Sequence, residues 1–317
     1  MTDTATGPCL VGVDIGGTKI EAALMRPDGT VAVTTRMPAR RGGDNVVADV
    51  EAIVRAVAAE RLADVAAVGV GIPGQVDAAI GLVSNVVNLD ITSLELGALA
   101  GARLGVPVHV ENDVNAAALG AARIVSDEED DAEGTEPDGP VAFLNFGTGL
   151  AAGIIIDGEL HHGASGAAGE IGHIPVDPNR FDCPCGQRGC LETVCSGAAV
   201  TRLWPTGGED ALSDLIIQAA QGEPEAGRIL GMVKHAMGDA IQILAQSVDP
   251  RTIVIGGGMA RIGEPLLRII GDELSARASV CPFLAGLRLE ERLRLAPADR
   301  PVGALGAALA ARPYASR

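Results

Sequence analysis

The sequence predicts an α/β protein of about two domains, and three observations lead to this. Short apolar strands end in glycine-rich turns, and the first of these patterns returns in the second half of the 317-residue chain. Segments with helical apolar spacing separate the strands. Hydrophobic residues make up 47% of the chain but aromatic residues only 2%, and there are 42 glycines. Cores built from Ala, Val, Ile and Leu with tight turns are typical of this class.

The opening segment, residues 9–36, is predicted to form a β-meander whose first turn is rich in glycine. An apolar strand ends at Asp14, and a second strand follows the turn. Gly16 and Gly17 allow backbone N–H groups to approach an anion closely. Thr18 adds a hydroxyl, and Asp14 adds a carboxylate able to hold hydrated magnesium. The pattern favours phosphate binding, with a plain tight hairpin as the alternative.

A helix capped by Asp44 or Asn45 is expected next, followed by a buried strand over residues 65–70. The strand leads into Gly69–Gly74, which contains G-x-G-x-x-G. A dinucleotide fold would need a helix directly after this motif, whereas glycine and short apolar pieces follow it. We therefore interpret the Pro-Gly turn as a rigid loop at the border of a cleft.

Asn88 lies in a polar loop before a helix predicted over residues 94–104. The strand 106–110 comes next, and it runs into Glu-Asn-Asp-Val-Asn, which contains Asn112 and Asp113. An alanine-rich helix then begins, so that Asp113 could simply cap its orphan amides. The functional alternative is a general base at the carboxyl end of a strand, where α/β active sites collect.

The formal charge of -17 argues against a nucleic-acid surface, which needs clustered Lys and Arg. Eight of the acidic residues fall within residues 127–138. We expect the segment 126–140 to be a solvated mobile loop, with a functional acidic segment as the alternative.

Residues 141–158 repeat the opening pattern of strand, Gly/Thr turn, strand and Asp-Gly hairpin. The turn of this second copy is Gly147, Thr148 and Gly149. The repetition predicts two related halves, each offering a glycine-rich hairpin to a shared polyphosphate ligand.

A metal site is predicted by the spacing H-x9-C-x-C-x4-C, formed by His173, Cys183, Cys185 and Cys190. Three thiolates and one imidazole are what a closed tetrahedral zinc site requires, and glycines between the cysteines allow tight turns. Such a zinc cannot activate water, so its expected role is to hold a loop. Buried or disulfide-paired cysteines are the alternative.

Two carboxylates flank this cluster, Glu170 before the histidine and Glu192 after the last cysteine. We expect the loop to present both carboxylates, together with His173, to a polar ligand. The alternative is that they are solvated surface glutamates.

A long helix is expected over residues 225–246, followed by a strand at 252–255 and the turn Gly256, Gly257 and Gly258. This turn would admit a nucleobase or ribose, with a simple tight turn as the alternative. The last helix, 302–311, is expected to pack back onto the body.

No apolar run is long enough to span a bilayer, and the first residues lack the pattern of a signal peptide. Clustered cysteines fit metal binding in a reducing compartment, so we expect a cytoplasmic protein without a membrane partner. Cys9, Cys195 and Cys281 are expected to be small buried residues.

Together these motifs resemble the ROK family of bacterial sugar kinases and sugar-responsive repressors, over nearly the whole chain. The resemblance rests on the following segments: Asp14–Lys19, Gly71–Gly74, Asn112–Asp113, Gly147–Gly149, Glu170–His173, Cys183–Glu192 and Gly256–Gly258. It implies the actin-like, ribonuclease-H-like ATPase fold with two α/β lobes and a cleft between them. We expect residues 1–110 with 301–317 to form the smaller lobe and 111–300 the larger.

The resemblance also implies ATP-dependent phosphorylation of a hexose, with Asp113 as the general base. The residues implied to bind sugar are Gly74, Asn88, Asn112, Asp113, Glu170, His173 and Glu192. The residues implied to bind ATP and Mg²⁺ are Asp14, Gly16, Gly17, Thr18, Lys19, Gly147, Thr148, Gly149, Gly256, Gly257 and Gly258. Structural Zn²⁺ would be held by His173 and the three clustered cysteines.

The sequence departs from kinases of this family at Ala151 and Ala152, where glycine is usual, and in its acidic insertion. The two alanines leave a sugar-binding protein without turnover as an alternative, and a sugar-responsive regulator with the same sugar-binding body is another. The regulator is disfavoured, because such relatives carry a DNA-binding helix-turn-helix before the first phosphate motif, whereas only 13 residues precede Asp14 here. Glucose is the first choice of substrate, with mannose, fructose, N-acetylmannosamine and N-acetylglucosamine as alternatives. Relatives suggest a homodimer, with a tetramer also possible.

Overall fold

The computed structural model describes residues 7–133 and 139–315. The chain divides into two compact units. Unit 1 comprises Met1–Pro137, Gly158–Leu160 and Pro297–Arg317, and unit 2 comprises Asp138–Asp157 and His161–Ala296.

Up to the acidic segment, the elements are β1 (Cys9–Ile15), β2 (Lys19–Met25), β3 (Val31–Pro38), α1 (Gly43–Ala58), β4 (Val65–Ile72), β5 (Gln75–Asp77), β6 (Leu82–Val86), β7 (Ile91–Leu94), α2 (Leu96–Leu104), β8 (Val108–Asn112) and α3 (Asp113–Glu133). The later elements are β9 (Val141–Phe146), β10 (Leu150–Ile156), β11 (Glu159–Leu160), α4 (Glu192–Cys195), α5 (Gly197–Leu203), α6 (Ala211–Ala220), α7 (Pro224–Ser247), β12 (Thr252–Gly256), α8 (Glu264–Val280), α9 (Pro282–Leu287), β13 (Leu293–Leu295) and α10 (Val302–Ala311). Short 3₁₀ turns connect several of them.

Unit 1 is built on a sheet with the strand order β3-β2-β1-β4-β8. β1 runs antiparallel to β2 and parallel to β4, and β4 runs parallel to β8. The apolar residues of α1 pack on one face of this sheet. After β4 the chain continues into β5 of a small antiparallel sheet, β5-β6-β7. The rejection of a dinucleotide fold is confirmed, because no helix follows the glycine motif.

Helix α10 lies against the β1–β4 pair at very close range. A Cβ atom on Gly12 would lie 1.8 Å from the carbonyl oxygen of Ala304, and one on Gly69 would lie 1.7 Å from that of Ala307. Only glycine fits at these two strand positions, and the small side chains of α10 keep the helix close to the sheet. The prediction that the last helix packs back onto the body is confirmed.

Helix α3 belongs to unit 1 and not to the second lobe that we expected to begin at residue 111. It packs against α10, where a Cβ atom on Gly120 would lie 2.0 Å from the carbonyl oxygen of Val302. The helix also runs to Glu133, so the loop predicted over 126–140 begins as helix. Residues 134–138 of that segment lie outside the described residues.

Unit 2 contains the strand order β10-β9-β12-β13. β9 pairs antiparallel with β10 and parallel with β12, and β12 pairs parallel with β13. This reproduces the order and directions of β2-β1-β4-β8 in unit 1, and it confirms the predicted internal duplication. The long helix α7 buries the predicted apolar stripe, which consists of Ile229, Val233, Met237, Ile241 and Leu244.

Within the described ranges, none of the helices combines the length and the apolar character needed to cross a membrane.

Candidate functional site

In unit 1, three of the predicted site segments meet at one edge of the sheet. β1, β4 and β8 are parallel neighbours, so their carboxyl ends lie side by side. Asp14 lies near the end of β1, Gly74 follows β4, and Asn112 ends β8. Loops at the carboxyl ends of parallel strands are where α/β proteins hold ligands.

The junction of β8 and α3 is fixed by the side chain of Asn112. Its Nδ2 donates to the carbonyl oxygen of Gly74 at 3.2 Å, and its Oδ1 accepts from the backbone N–H of Val114 at 2.9 Å and of Asn115 at 3.3 Å. Asn112 therefore satisfies orphan amides of α3, a role that the sequence offered for Asp113 as the alternative to general-base catalysis. Asp113 adds a 3.0 Å bond from the N–H of Val114 to its Oδ1.

Asp14 is a carboxylate whose protonation is strongly perturbed. Burial raises its pKa from 3.8 to about 7, and the negative charges of Asp113 and Glu21 add to this, whereas Lys19 acts in the opposite direction. Gly303 packs against it so closely that a Cβ atom there would lie 2.6 Å from the Asp14 carboxylate. Asp14 and Asp113 are both half-buried, and their negative charges repel each other. Such a pair of carboxylates is a suitable donor set for a divalent cation.

The first glycine turn closes through a 2.9 Å bond from the N–H of Gly16 to the carbonyl oxygen of Lys19. Gly17 lies beside Asn88, since a Cβ atom on Gly17 would be 3.4 Å from that of Asn88. Thr18 and Lys19 are exposed. The structure thus brings the predicted phosphate turn and one predicted sugar-binding residue together.

In unit 2, the two remaining glycine segments line one cavity of about 410 Å³. Gly147 and Thr148 contribute from the β9–β10 turn, and Gly258 contributes from the loop after β12. The N–H of Gly197, the first residue of α5, donates to the carbonyl oxygen of Gly147 at 2.7 Å. Gly256, the last residue of β12, is buried, and Gly257 has a positive φ of 85°.

Ala151 and Ala152 lie in β10 and not in the turn. They pair with Asn145 and Leu144 of β9, and the N–H of Ala152 donates to the carbonyl oxygen of Gly169 at 2.8 Å. The turn itself ends at Gly149, so the two alanines occupy regular strand positions after it.

The four predicted metal ligands come together. Their ligand atoms all lie within 4.8 Å of one another, with 3.7 Å between the sulfurs of Cys185 and Cys190 and 3.7 Å between Cys183 Sγ and His173 Nδ1. Two sulfurs bound to a tetrahedral zinc at about 2.3 Å would be about 3.8 Å apart. The donor set and its spacing therefore fit zinc.

Gln187 supports this cluster from its own loop. Its side-chain amide donates to the carbonyl oxygen of His173 at 3.0 Å and to the sulfur of Cys185 at 3.5 Å. Hydrogen bonds from its backbone and side chain lower the pKa of Cys185 to about 6.

Outside the cluster, Cys9 and Cys195 are buried as expected, whereas Cys281 is only half-buried.

The two flanking carboxylates lie in different surroundings. Glu192 Oε2 accepts a 2.9 Å hydrogen bond from the N–H of Leu150. Glu170 is exposed and starts the short turn that contains His173, whose N–H donates to its carbonyl oxygen at 3.2 Å. Glu170 therefore lies next to the metal-site residue His173, whereas the side chain of Glu192 reaches the second glycine turn.

Sequence reasoning missed the part of the cavity in unit 2 that α5, α6 and the residues after Gly258 supply. Ala198, Thr201, Ser213 and Arg261 line it. The sequence did contain a signal for the start of α5, because a serine before a Gly-Ala-Ala run, here Ser196, is typical of a helix N-cap. In the structure, Ser196 Oγ accepts from the N–H of Ala199 at 3.1 Å.

Comparison with known proteins identifies the family. The ROK family model matches residues 10–312. The chain belongs to the ROK family. A glucokinase from Streptomyces coelicolor is 33% identical over 277 residues, which cover 81% of this chain and 84% of the relative.

Two solved structures show the same fold. A ROK hexokinase from Thermus thermophilus superposes with a TM-score of 0.77 at 28% identity, covering 95% of this chain and 97% of the other. A ROK family glucokinase from Streptomyces griseus, in complex with glucose and AMPPNP, gives 0.73 at 30% identity, covering 96% and 99%. The predicted actin-like ATPase fold is confirmed, as is the prediction of an ATP-dependent sugar kinase.

Proposed function

We propose that this protein transfers the γ-phosphoryl group of ATP to a hydroxyl of a hexose, with glucose as the preferred substrate. The observation that carries the proposal is the placement of Asp113 beside Asp14 and the first glycine turn, where three parallel strands end. The glucokinase relatives support glucose as the first sugar to test.

Asp113 would act as the general base. It stands at the start of α3, where the side chain of Asn112 fixes the backbone on both sides of it. In the proposed reaction its carboxylate accepts the proton of the sugar hydroxyl as the oxygen attacks the γ-phosphorus, and ADP leaves. Phosphoryl transfer depends mainly on positioning and electrostatics, so a rigidly held carboxylate suits this role.

The nucleotide would be bound by the glycine turns. Backbone N–H groups at Gly16 and Gly17, with the side chains of Thr18 and Lys19, are proposed for the phosphates. In unit 2 the same role is proposed for Gly147, Thr148 and Gly149, and the cavity beside Gly256, Gly257 and Gly258 would take the adenosine. Mg²⁺ bound through Asp14 would supply positive charge for the phosphates.

For the sugar, we propose Gly74, Asn88 and Asn112 from unit 1 and Glu170, His173 and Glu192 from unit 2. Zinc held by His173 and the three cysteines would keep the unit 2 residues in place, because a metal with four protein ligands acts structurally. His173 Nδ1 faces the cluster, which leaves its Nε2 for a second contact.

A cytoplasmic location and a homodimeric state remain predictions. The thiolate-rich cluster supports the former, since free cysteines persist in a reducing compartment and tend to form disulfides in an oxidising one.

A panel of sugars tests the proposed function. ADP release would be measured with ATP and Mg²⁺ against glucose, mannose, fructose, N-acetylglucosamine and N-acetylmannosamine, with product masses as a second readout. The proposal requires a hexose-dependent rate and a phosphorylated sugar, with the highest kcat/KM for glucose. Tight sugar binding without ADP release on any sugar would contradict it.

A further inference from the structure

Glu111 is a buried carboxylate directly before the Asn112–Asp113 pair. Glu111 lies in β8, and only 3% of its surface is exposed. Successive strand residues point to opposite faces, so Glu111 shares its face with His109. The His109 ring stacks on Tyr314, with ring centroids 4.8 Å apart, and its Nε2 lies 3.7 Å from Glu111 Oε2.

One oxygen of this carboxylate joins the strand to the helix. Glu111 Oε1 accepts from the backbone N–H of Asn112 at 2.9 Å and from Nδ2 of Asn115 at 3.1 Å. Asn112 precedes Asp113 by one residue and Asn115 follows it by two, so Glu111 holds the backbone before the proposed general base and a side chain after it.

The cost of burying this group argues for a geometric role. A carboxylate loses much of its hydration when buried, and hydrogen bonds from neutral amides compensate only part of that loss. An apolar side chain of similar size would fill the same space at lower cost. What the carboxylate adds is two directed hydrogen bonds at the junction that carries Asp113.

We propose that Glu111 is a positioning residue for Asp113, acting through Asn112 and Asn115. The inference rests on the proposed function. Loss of its acceptor would let the junction relax, and a displacement of about 1 Å at a reacting group can lower a rate by about 10²-fold. The effect would fall mainly on kcat and leave the binding of ATP unchanged. The KM for sugar would change little, because the side chain of Asn112 stays bonded to Gly74 and Val114.

The test compares Glu111→Leu with Glu111→Gln in the full chain. Glutamine retains an oxygen that accepts from the same donors, whereas leucine removes it. Per folded molecule, we expect Glu111→Leu to lower kcat by about 10- to 100-fold with both KM values within about threefold, and Glu111→Gln to stay within about threefold of wild type. Asp49→Leu is the matched control, because Asp49 is fully buried and bonded to Arg40. It should lower stability and leave kcat unchanged.

The same substitution in an Asp113→Asn background separates positioning from general damage. If Glu111 acts through Asp113, Glu111→Leu lowers kcat no further there. Equal losses in both backgrounds, or a normal kcat for folded Glu111→Leu, would overturn the inference. Failure of the wild type to phosphorylate any hexose would instead overturn the proposed function, so the two outcomes are distinguishable.

Discussion

The carboxylate of Glu192 accepts a hydrogen bond from the backbone N–H of Leu150, the first residue of β10. Leu150 directly follows the second glycine turn, and Glu192 lies two residues after the metal-site residue Cys190. One side chain therefore connects the metal cluster to the turn proposed for phosphate binding. Disturbing either end should affect the other.

The first prediction concerns Gly149, where a Cβ atom would lie 2.6 Å from Glu192 Oε2. Gly149→Ala should displace this carboxylate and weaken its bond to Leu150, raising KM for ATP about tenfold, which corresponds to about 1.4 kcal/mol. Steady-state kinetics check this. Gly227→Ala is the control, because nothing lies near that helical position and KM should not change. An unchanged KM for Gly149→Ala would be evidence against the connection.

The second prediction concerns the metal. Cys190→Ser should lose the zinc and lower Tm by about 5–10 °C, because binding to a structural site stabilises the fold. Elemental analysis of purified protein and thermal unfolding measure both effects. Cys281→Ser, which changes a cysteine outside the cluster, should retain one zinc per chain. A wild-type protein without zinc would refute the assignment.

The third prediction is a pH dependence caused by Asp14. Its pKa rises from 3.8 to about 7 on folding, because burial and the charge of Asp113 disfavour the ionised form. Between these values the folded state binds more protons than the unfolded state, so stability falls as pH rises from about 4 to about 7. The loss is on the order of 4 kcal/mol.

Urea unfolding of zinc-loaded wild type and Asp14→Asn in buffer without Mg²⁺ tests this. The variant should gain stability relative to wild type across that pH range, because the amide does not titrate. If the difference between the two proteins is constant with pH, the Asp14 carboxyl is not perturbed in this way.

The fourth prediction concerns an ion-pair network between α7 and α8. Arg277 donates to Glu273 at 2.9 Å, to Asp239 at 2.8 Å and to the carbonyl oxygen of His235 at 2.7 Å, with its side chain only 15% exposed. Arg277→Ala should cost about 3 kcal/mol, because it removes the guanidinium from two half-buried carboxylates and leaves them only the exposed His235 ring. Arg228→Ala, which removes an exposed pair, should cost less than about 1 kcal/mol. Equal costs in denaturant unfolding would show that the network does not stabilise the fold.

Local spacing explains what could be predicted from the sequence. The metal ligands lie within 18 residues of one another, and the two hairpins carry their own turn residues, so neighbouring positions determine both features. The duplication was visible for the same reason, since the two halves repeat one order of strands and turns.

Long-range packing explains what could not be predicted. The contact between α3 and α10 joins residues such as Gly120 and Val302, which lie far apart in the chain. The boundary expected at residue 110 therefore differs from the division into compact units, which keeps α3 with unit 1. The role of Asn112 as helix cap was missed because two candidate caps stand next to each other. Only the structure shows which side chain turns toward the helix amides.

The most direct test of the central claim is the turnover of Asp113→Asn with the best hexose, ATP and Mg²⁺. Asparagine keeps the size of the side chain and an oxygen that can accept from Val114, but it cannot take up the proton of the hydroxyl. We predict a folded protein with both KM values within about threefold of wild type and a kcat lower by about 10²- to 10⁴-fold. A kcat near that of wild type would contradict the assignment of Asp113 as the general base.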